Sequence, residues 1–143
     1  MKRGILMFAL ALGALAGPLC AENDDEAAAR RVAYTVAGAF TNDGFNLREG
    51  HWTGRIEPGK PKLVQVNLYA GNQYWFSVGT APQGKKIALS IYDETGKPLA
   101  SEPYTDNGKA AAGFSPEASG PYYVKVELKE GDPSTFCLLY SYK

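Results

Sequence analysis

Cysteine and histidine are nearly absent from this sequence, which has two cysteines and one histidine among its 143 residues. A structural zinc site takes several ligands of these two types, so the composition argues against one. A Ser-His-Asp or Cys-His hydrolytic mechanism would have to use His51, and no Gly-x-Ser-x-Gly motif accompanies it. We therefore predict that the protein is not an enzyme, and a small hydrolase is the least favoured function.

An excess of charge of one sign is also missing, because 15 lysines and arginines balance 15 aspartates and glutamates. Proteins that bind nucleic acid or an anionic membrane surface usually carry a strongly basic patch. The balanced composition therefore argues against both kinds of partner. Long apolar runs are missing after residue 21, so we expect no membrane span.

Residues 1–21 have the pattern of a secretory signal peptide. Two basic residues follow the first methionine, residues 5–15 are apolar, and Leu19-Cys20-Ala21 fits a cleavage site that ends at Ala21. This pattern predicts export to the periplasm or to the cell exterior. Lipidation of Cys20 is the alternative and would anchor the chain to a membrane, although Leu19 fits the required motif poorly.

Cleavage after Ala21 would leave Cys137 as the last cysteine, so no disulfide could form within the chain. The remaining chain of about 120 residues is long enough to bury a hydrophobic core. Cys137 lies in an apolar run, which favours a small buried side chain. A reactive or intermolecular thiol is the alternative.

Residues 22–44 are predicted to hold one amphipathic helix, from Asn23 to Phe40. Asn23 and Glu26 have the spacing of a capping box at its start. The apolar residues recur at three- and four-residue steps, and most are small enough to let the helix approach a sheet closely. They are Ala28, Ala29, Val32, Ala33, Val36, Ala37 and Phe40. A helix this short is marginal alone in water, so we expect it to pack on the rest of the domain.

Residues 45–143 contain short alternating apolar runs separated by turn residues, at spacings of about 8–12 residues. The strongest pair spans residues 63–78 around the polar break at 70–73, and it predicts a β-hairpin. Pro103, in the weaker run 99–104, predicts an edge strand. The runs together predict an all-β fold: an antiparallel, jelly-roll-like β-sandwich of seven or eight strands, with the N-terminal helix packed on it.

Between residues 50 and 142, four segments occur in a fixed order: VQVNLYAGNQYWFSV (64–78), LSIYDETGKPLA (89–100), FSPEASGPYYVKV (114–126) and FCL (136–138). These segments resemble the motifs of the bacterial pre-peptidase C-terminal (PPC) domain. The resemblance implies a jelly-roll-like sandwich that accompanies secreted peptidases, with relatives that bind collagen, carbohydrate or calcium. This sequence departs from that setting, because a helix precedes the sandwich and these 143 residues include no peptidase domain.

Asp93 and Asp106 are the candidate calcium ligands, because oxygen-rich loops can bind this ion. Neither loop has the spacing of an EF-hand, and aspartate is also an ordinary turn former. Turn formation is the favoured interpretation and calcium binding the alternative. No other cofactor is expected.

Four aromatic residues are candidate contacts for a ligand or partner, because outward-facing rings on a sheet can hold sugar rings or a protein surface. They are Trp75, Tyr69, Tyr123 and Trp52. Trp75 lies between the core-facing Tyr74 and Phe76, so alternation directs it outward. We favour the interpretation that the alanine-rich helix covers Trp75, because both apolar faces would otherwise contact water. An open aromatic platform is the alternative.

These observations predict an exported, non-enzymatic β-sandwich module that binds a protein or a polysaccharide in the cell envelope or outside the cell. The alternative is a structural or assembly subunit of an envelope complex. The sequence leaves the ligand and the oligomeric state open.

Overall fold

The computed structural model describes residues 23–84 and 86–143, which form two antiparallel β-sheets packed face to face and one helix on the outside of the first sheet. This architecture confirms the predicted sandwich with a helix packed on it. The predicted signal peptide, including Cys20, lies outside the described residues. Among the residues that are described, no helix is long and apolar enough to cross a membrane.

The described residues form ten strands, and two of these are only two residues long. The strands are β1 (Asn46–Leu47), β2 (Trp52–Ile56), β3 (Lys62–Leu68), β4 (Tyr74–Ala81), β5 (Lys86–Asp93), β6 (Pro98–Leu99), β7 (Glu102–Asp106), β8 (Lys109–Phe114), β9 (Gly120–Glu130) and β10 (Ser134–Tyr142). The first sheet has the order β1-β10-β4-β8-β7, and β2 also pairs with β10. The second sheet has the order β3-β9-β5-β6. The eight longer strands agree with the predicted number.

The helix α1 (Asp24–Thr41) begins where the capping box predicts. The side-chain oxygen of Asn23 accepts a hydrogen bond from the main-chain N–H of Glu26 at 2.8 Å, and its amide donates to the Glu26 carboxylate at 3.2 Å. Such a cap stabilises a helix start by about 1 kcal/mol. The helix buries a stripe made of Ala29, Ala33, Val36 and Ala37, which belong to the predicted apolar face.

The main hydrophobic core lies between the two sheets. Strand β9 shows the alternation that builds it, because Tyr122, Val124, Val126 and Leu128 are buried while the residues between them are partly exposed. In the first sheet, by contrast, β4 and β10 are buried almost continuously, because α1 covers their outer face. The central strands β4 and β10 of the first sheet are therefore buried on both faces, and the second sheet is buried on its inner face.

The segment 63–78 is not a hairpin, and that prediction is wrong. Strand β3 pairs with β9 in the second sheet, whereas β4 pairs with β8 and β10 in the first. The turn at residues 69–73 carries the chain across the core, where the main-chain N–H of Tyr69 donates to the Tyr74 hydroxyl at 2.9 Å. Alternation identified both strands and the turn. It could not identify the pairing, because both strands direct their apolar residues into the same core from opposite sides.

The predicted weak strand at residues 99–104 is also divided between the sheets. Strand β6 pairs with β5 in the second sheet, and β7 pairs with β8 in the first. The chain changes sheet between them, at residues 100–101. Pro103 lies in β7, which is the last strand of the first sheet, so the predicted edge position is confirmed.

Candidate functional site

The outer face of the first sheet is covered by α1 at β4 and β10, because small residues on these two strands let the helix approach closely. Ala81 and Cys137 pack against the alanine stripe of the helix. The approach is closest at Gly79, where an added Cβ would lie 2.6 Å from the carbonyl oxygen of Ala29 and 2.7 Å from the main-chain nitrogen of Ala33. The close approach expected from the small helix stripe is confirmed, and this part of the sheet is inaccessible to a ligand.

Trp75 lies beneath the last turn of the helix. Its ring stacks on the ring of Phe40, with centroids 4.2 Å apart and planes 10° from parallel. Gly113 leaves space on the neighbouring strand, because a Cβ there would lie 2.8 Å from the indole ring. Of the two alternatives for Trp75, the contacts support cover by the helix. One part of the ring still lines a groove beside β7, near Tyr104.

The other three candidate aromatic residues do not gather around Trp75. Tyr69 lies in the turn after β3 and is exposed, while Tyr123 lies on the outer face of the second sheet, on the opposite side of the sandwich. Trp52 packs against the core from β2, with its ring 6.1 Å from that of Tyr140. The expectation that Trp52 faces outward is therefore wrong, because its position in β2 falls on the core side. The four residues do not form one platform.

Arg48 closes the core beside Trp52. Its guanidinium carbon lies 5.0 Å from the centroid of the Trp52 ring and 5.1 Å from that of Tyr140. Burial raises the pKa of the Tyr140 hydroxyl above its ordinary value of 10.0, and the nearby Arg48 charge partly opposes this effect. This cluster therefore places the Arg48 cation over the rings of Trp52 and Tyr140, and the Tyr140 phenol is neutral at pH 7.

The outer face of the second sheet is not covered by the helix, and Tyr123 lies within it. Tyr92 on β5 stands directly opposite Tyr123 on β9, and Gln65 on β3 stands opposite Tyr123 on its other side. These three side chains form a row across the sheet. The two tyrosines lie in a surface groove of about 470 Å³, called here the tyrosine groove. Its lining residues are Pro61, Leu63, Tyr92, Asp93, Glu94, Gly96, Tyr123 and Lys125.

Charged groups flank the two rings of the tyrosine groove. The Nζ atom of Lys125 lies 6.0 Å from the centroid of the Tyr92 ring and 3.7 Å from the Glu127 carboxylate. Asp93 and Glu94 contribute carboxylates to the same groove. A groove that combines aromatic faces with a few hydrogen-bonding groups can contact the C–H face of a sugar ring and bind its hydroxyl groups.

Asp93, the first calcium candidate, stabilises the turn after β5. Its carboxylate accepts hydrogen bonds from the Thr95 hydroxyl at 2.6 Å and from the main-chain N–H groups of Thr95 and Lys97 at 2.9 and 3.0 Å. These bonds, above all the one from the Thr95 side chain, hold the pKa of Asp93 below its ordinary value of 3.8. The carboxylate therefore acts as a turn former, as the favoured interpretation predicts.

Asp106, the second candidate, has the same role in the turn between β7 and β8. Its carboxylate accepts a hydrogen bond from the Asn107 N–H at 2.8 Å and lies 3.6 Å from the Lys109 ammonium. Within residues 23–84 and 86–143, no group of three or more histidine, cysteine, aspartate or glutamate side chains is arranged to hold a metal ion.

Cys137 and His51, the residues that a Cys-His mechanism would need, differ in accessibility. His51 is exposed just before β2, whereas Cys137 has 0% exposure beneath α1. The prediction of a small buried cysteine is confirmed. A substrate could not reach its thiol without displacement of the helix.

Tyr92, Leu63 and Lys125 line the groove but were not singled out from the sequence. Tyr92 follows the buried Ile91 in a clearly alternating run, and this alternation already directs its side chain outward. What the sequence lacked was the register, which places Tyr92 opposite Tyr123 and Leu63 opposite Lys125.

Comparison with protein-family models finds no match for this chain, and no curated protein is significantly similar to it. The resemblance to the PPC domain therefore stays a prediction.

Proposed function

We propose that this protein is an exported, non-enzymatic binding module whose tyrosine groove binds a polysaccharide in the cell envelope or outside the cell. The observation that carries the proposal is the cross-strand pair Tyr92 and Tyr123, on the sheet face that α1 leaves open. The expected signal peptide supports export, and the resemblance to the PPC domain supports a binding role.

The groove suits an extended carbohydrate chain for two physical reasons. Tyrosine rings offer rigid apolar faces to sugar C–H groups, at little cost in conformational entropy. The carboxylates and Lys125 at its margins can bind hydroxyl groups along the same chain. The groove is open at the sheet surface, so a polymer can enter it without threading through a cavity.

A protein partner is the second candidate, as expected for an assembly subunit of an envelope complex. Leu63 favours it, because this side chain is 64% exposed at the margin of the groove. An exposed leucine adds apolar area to a protein interface and has little to offer a hydroxyl-rich sugar.

Affinity electrophoresis through gels that contain cellulose derivatives, chitosan, laminarin or solubilised peptidoglycan tests the proposal. The wild-type protein should be retarded by at least one of these polymers. Tyr92→Ala and Tyr123→Ala should each weaken binding about tenfold, because loss of one stacking ring costs roughly 1.4 kcal/mol. Tyr34→Ala is the matched control, since Tyr34 is 42% exposed on α1, far from this sheet face in the fold.

Retardation that persists in both groove variants would contradict the proposal, as would an equal loss in the Tyr34→Ala control. A pull-down from envelope extract separates the two candidates. Capture of one protein by the wild type, with loss of that protein in both groove variants and no polysaccharide retardation, would support the protein partner instead.

A further inference from the structure

Strand β3 is a long sheet edge without protection. It ends the second sheet and pairs with β9 alone. The strand has seven residues, with no proline and a single charged residue, Lys62. Natural proteins usually shorten their edge strands or place proline and charge in them, because free main-chain groups at an edge pair readily with another strand.

The other sheet edges of the described chain are shorter or carry such protection. Residues 86–90 of β5, which β6 does not cover, form a short edge that begins with the charged Lys86. Strand β7 contains Pro103 between the charged residues Glu102 and Asp106. Strand β6 has two residues and begins with Pro98. Strands β1 and β2 share the remaining edge and have two and five residues. The contrast indicates that the β3 edge is left open for pairing.

The hydrogen-bond pattern identifies the free groups of β3. The main-chain N–H and C=O groups of Asp93 form the hydrogen bonds of the turn between β5 and β6, so they are directed away from β9. The main-chain groups of the preceding residue, Tyr92, are directed the opposite way, toward β9. In an antiparallel sheet, the main-chain groups of successive residues are directed alternately to the two neighbouring strands. The register of β5 with β9 and that of β9 with β3 extend this alternation to β3. The residues with N–H and C=O groups directed away from β9 are Leu63, Gln65 and Asn67. Among the described residues, none of these groups has a hydrogen-bond partner.

We propose that β3 pairs with β3 of a second copy of this chain, antiparallel and centred on Gln65. In this register Gln65 faces its own equivalent, and Leu63 faces Asn67 of the other copy. Each of these residues offers one donor and one acceptor, so all the free groups are satisfied in about six hydrogen bonds. No other register satisfies every one of them.

The side chains of β3 are also compatible with self-pairing. A valine lies on each side of Gln65, so Val64 meets Val66 of the other copy on the core side. Val64 is only partly buried in one copy and gains cover there. Lys62 faces Leu68, so the register opposes no like charges. These features favour a second copy over a strand of different sequence.

The pairing joins the second sheets of both copies into one sheet of eight strands, since each contributes four. Outward residues meet outward residues in this register, so both tyrosine grooves lie on the same face. The pairing does not depend on the identity of the ligand. If the groove binds a polysaccharide, the dimer presents two sites to one polymer.

Sedimentation velocity on the purified protein and on charge variants at Gln65 tests this inference. Wild type should sediment as a dimer, whereas Gln65→Lys and Gln65→Glu should each sediment as monomers because like charges meet at the centre. An equal mixture of the two variants should recover the dimer, since lysine then faces glutamate. Gln73→Lys, the same substitution in an exposed turn, should remain dimeric.

The inference would be overturned by a wild-type monomer at the highest soluble concentration, by dimers of both charge variants, or by a mixture that stays monomeric. Oligomers larger than two would also contradict it, because the pairing uses up the β3 edge of each copy. Circular dichroism tests whether the Gln65 variants fold. We expect them to fold, because Gln65 is exposed on the outer face of the sheet. A wild-type protein that forms the dimer but binds none of the tested polysaccharides would contradict the proposed function alone.

Discussion

Replacing Gly79 with alanine tests the packing of α1 on the first sheet. The added methyl group would lie 2.6 Å from both the Ala29 carbonyl oxygen and the Val32 Cβ, and 2.7 Å from the Ala33 nitrogen. Ordinary van der Waals contact begins near 3.4 Å. Two of these three atoms belong to the helix backbone and cannot rotate away. The helix must therefore move outward by about 1 Å, which weakens its dispersion contacts along β4.

The expected cost follows from this displacement. A gap of about 0.5–1 Å removes a quarter to a half of the dispersion energy at each contact. Overpacking of this kind costs about 1–3 kcal/mol, while alanine within a strand regains roughly 0.5–1 kcal/mol over glycine. We expect the free energy of unfolding to fall by about 1–2 kcal/mol and the melting temperature to fall by about 5 °C.

Gly38→Ala is the matched control, because it adds the same methyl group where nothing lies within 4 Å of the new Cβ. Gly38 lies in the last turn of α1, so alanine should raise the free energy of unfolding by about 0.5–1 kcal/mol. Urea unfolding followed by tryptophan fluorescence measures both variants. If Gly79→Ala is as stable as the wild type, the helix does not pack closely on β4 and the reasoning is refuted.

Three further substitutions test other parts of the structure. Phe40→Ala should lower the free energy of unfolding by about 1–3 kcal/mol, because the ring that stacks on Trp75 is lost. The fluorescence of Trp75 should shift toward that of a solvated indole, and an unchanged spectrum would contradict the stacking contact. Ser77→Ala should raise the free energy of unfolding by about 1 kcal/mol, because the Ser77 hydroxyl is buried without a hydrogen-bond partner among the described residues; calorimetry that shows a loss would indicate a partner. Asp93→Asn should be less stable than the wild type at pH 7, because the lowered pKa of Asp93 stabilises the fold while its carboxylate is charged. The difference in stability should shrink as the pH falls below the ordinary pKa of 3.8. A difference in urea midpoint that is equal at pH 7 and pH 3 would exclude this origin.

Local patterns in the sequence were sufficient to predict the helix and most of the strands. The Asn23 and Glu26 pair marked the helix start, and alternation marked the buried residues of β9. Pro103 identified an edge strand because proline lacks the N–H that an inner strand needs. Each of these signals depends on residues within a few positions of one another, and for that reason it can be interpreted without knowledge of the fold.

Pairing between distant segments could not be predicted in the same way. The run 63–78 predicted a hairpin, yet β3 pairs with a strand that begins more than 50 residues after it. The aromatic candidates had the same limitation. Alternation directed both Trp75 and Tyr123 outward, and it could not distinguish a face covered by a helix from an open one.

The sequence by itself determined the helix, its cap, most of the strands and the two-sheet fold class, because these depend on local periodicity and on the chemistry of single residues. The tertiary structure alone decided which strands pair, that Phe40 covers Trp75, and that Tyr92 stands opposite Tyr123 on the open face. Strand registers and layer contacts join residues far apart in the chain, and the free energy that selects them is shared across the whole core.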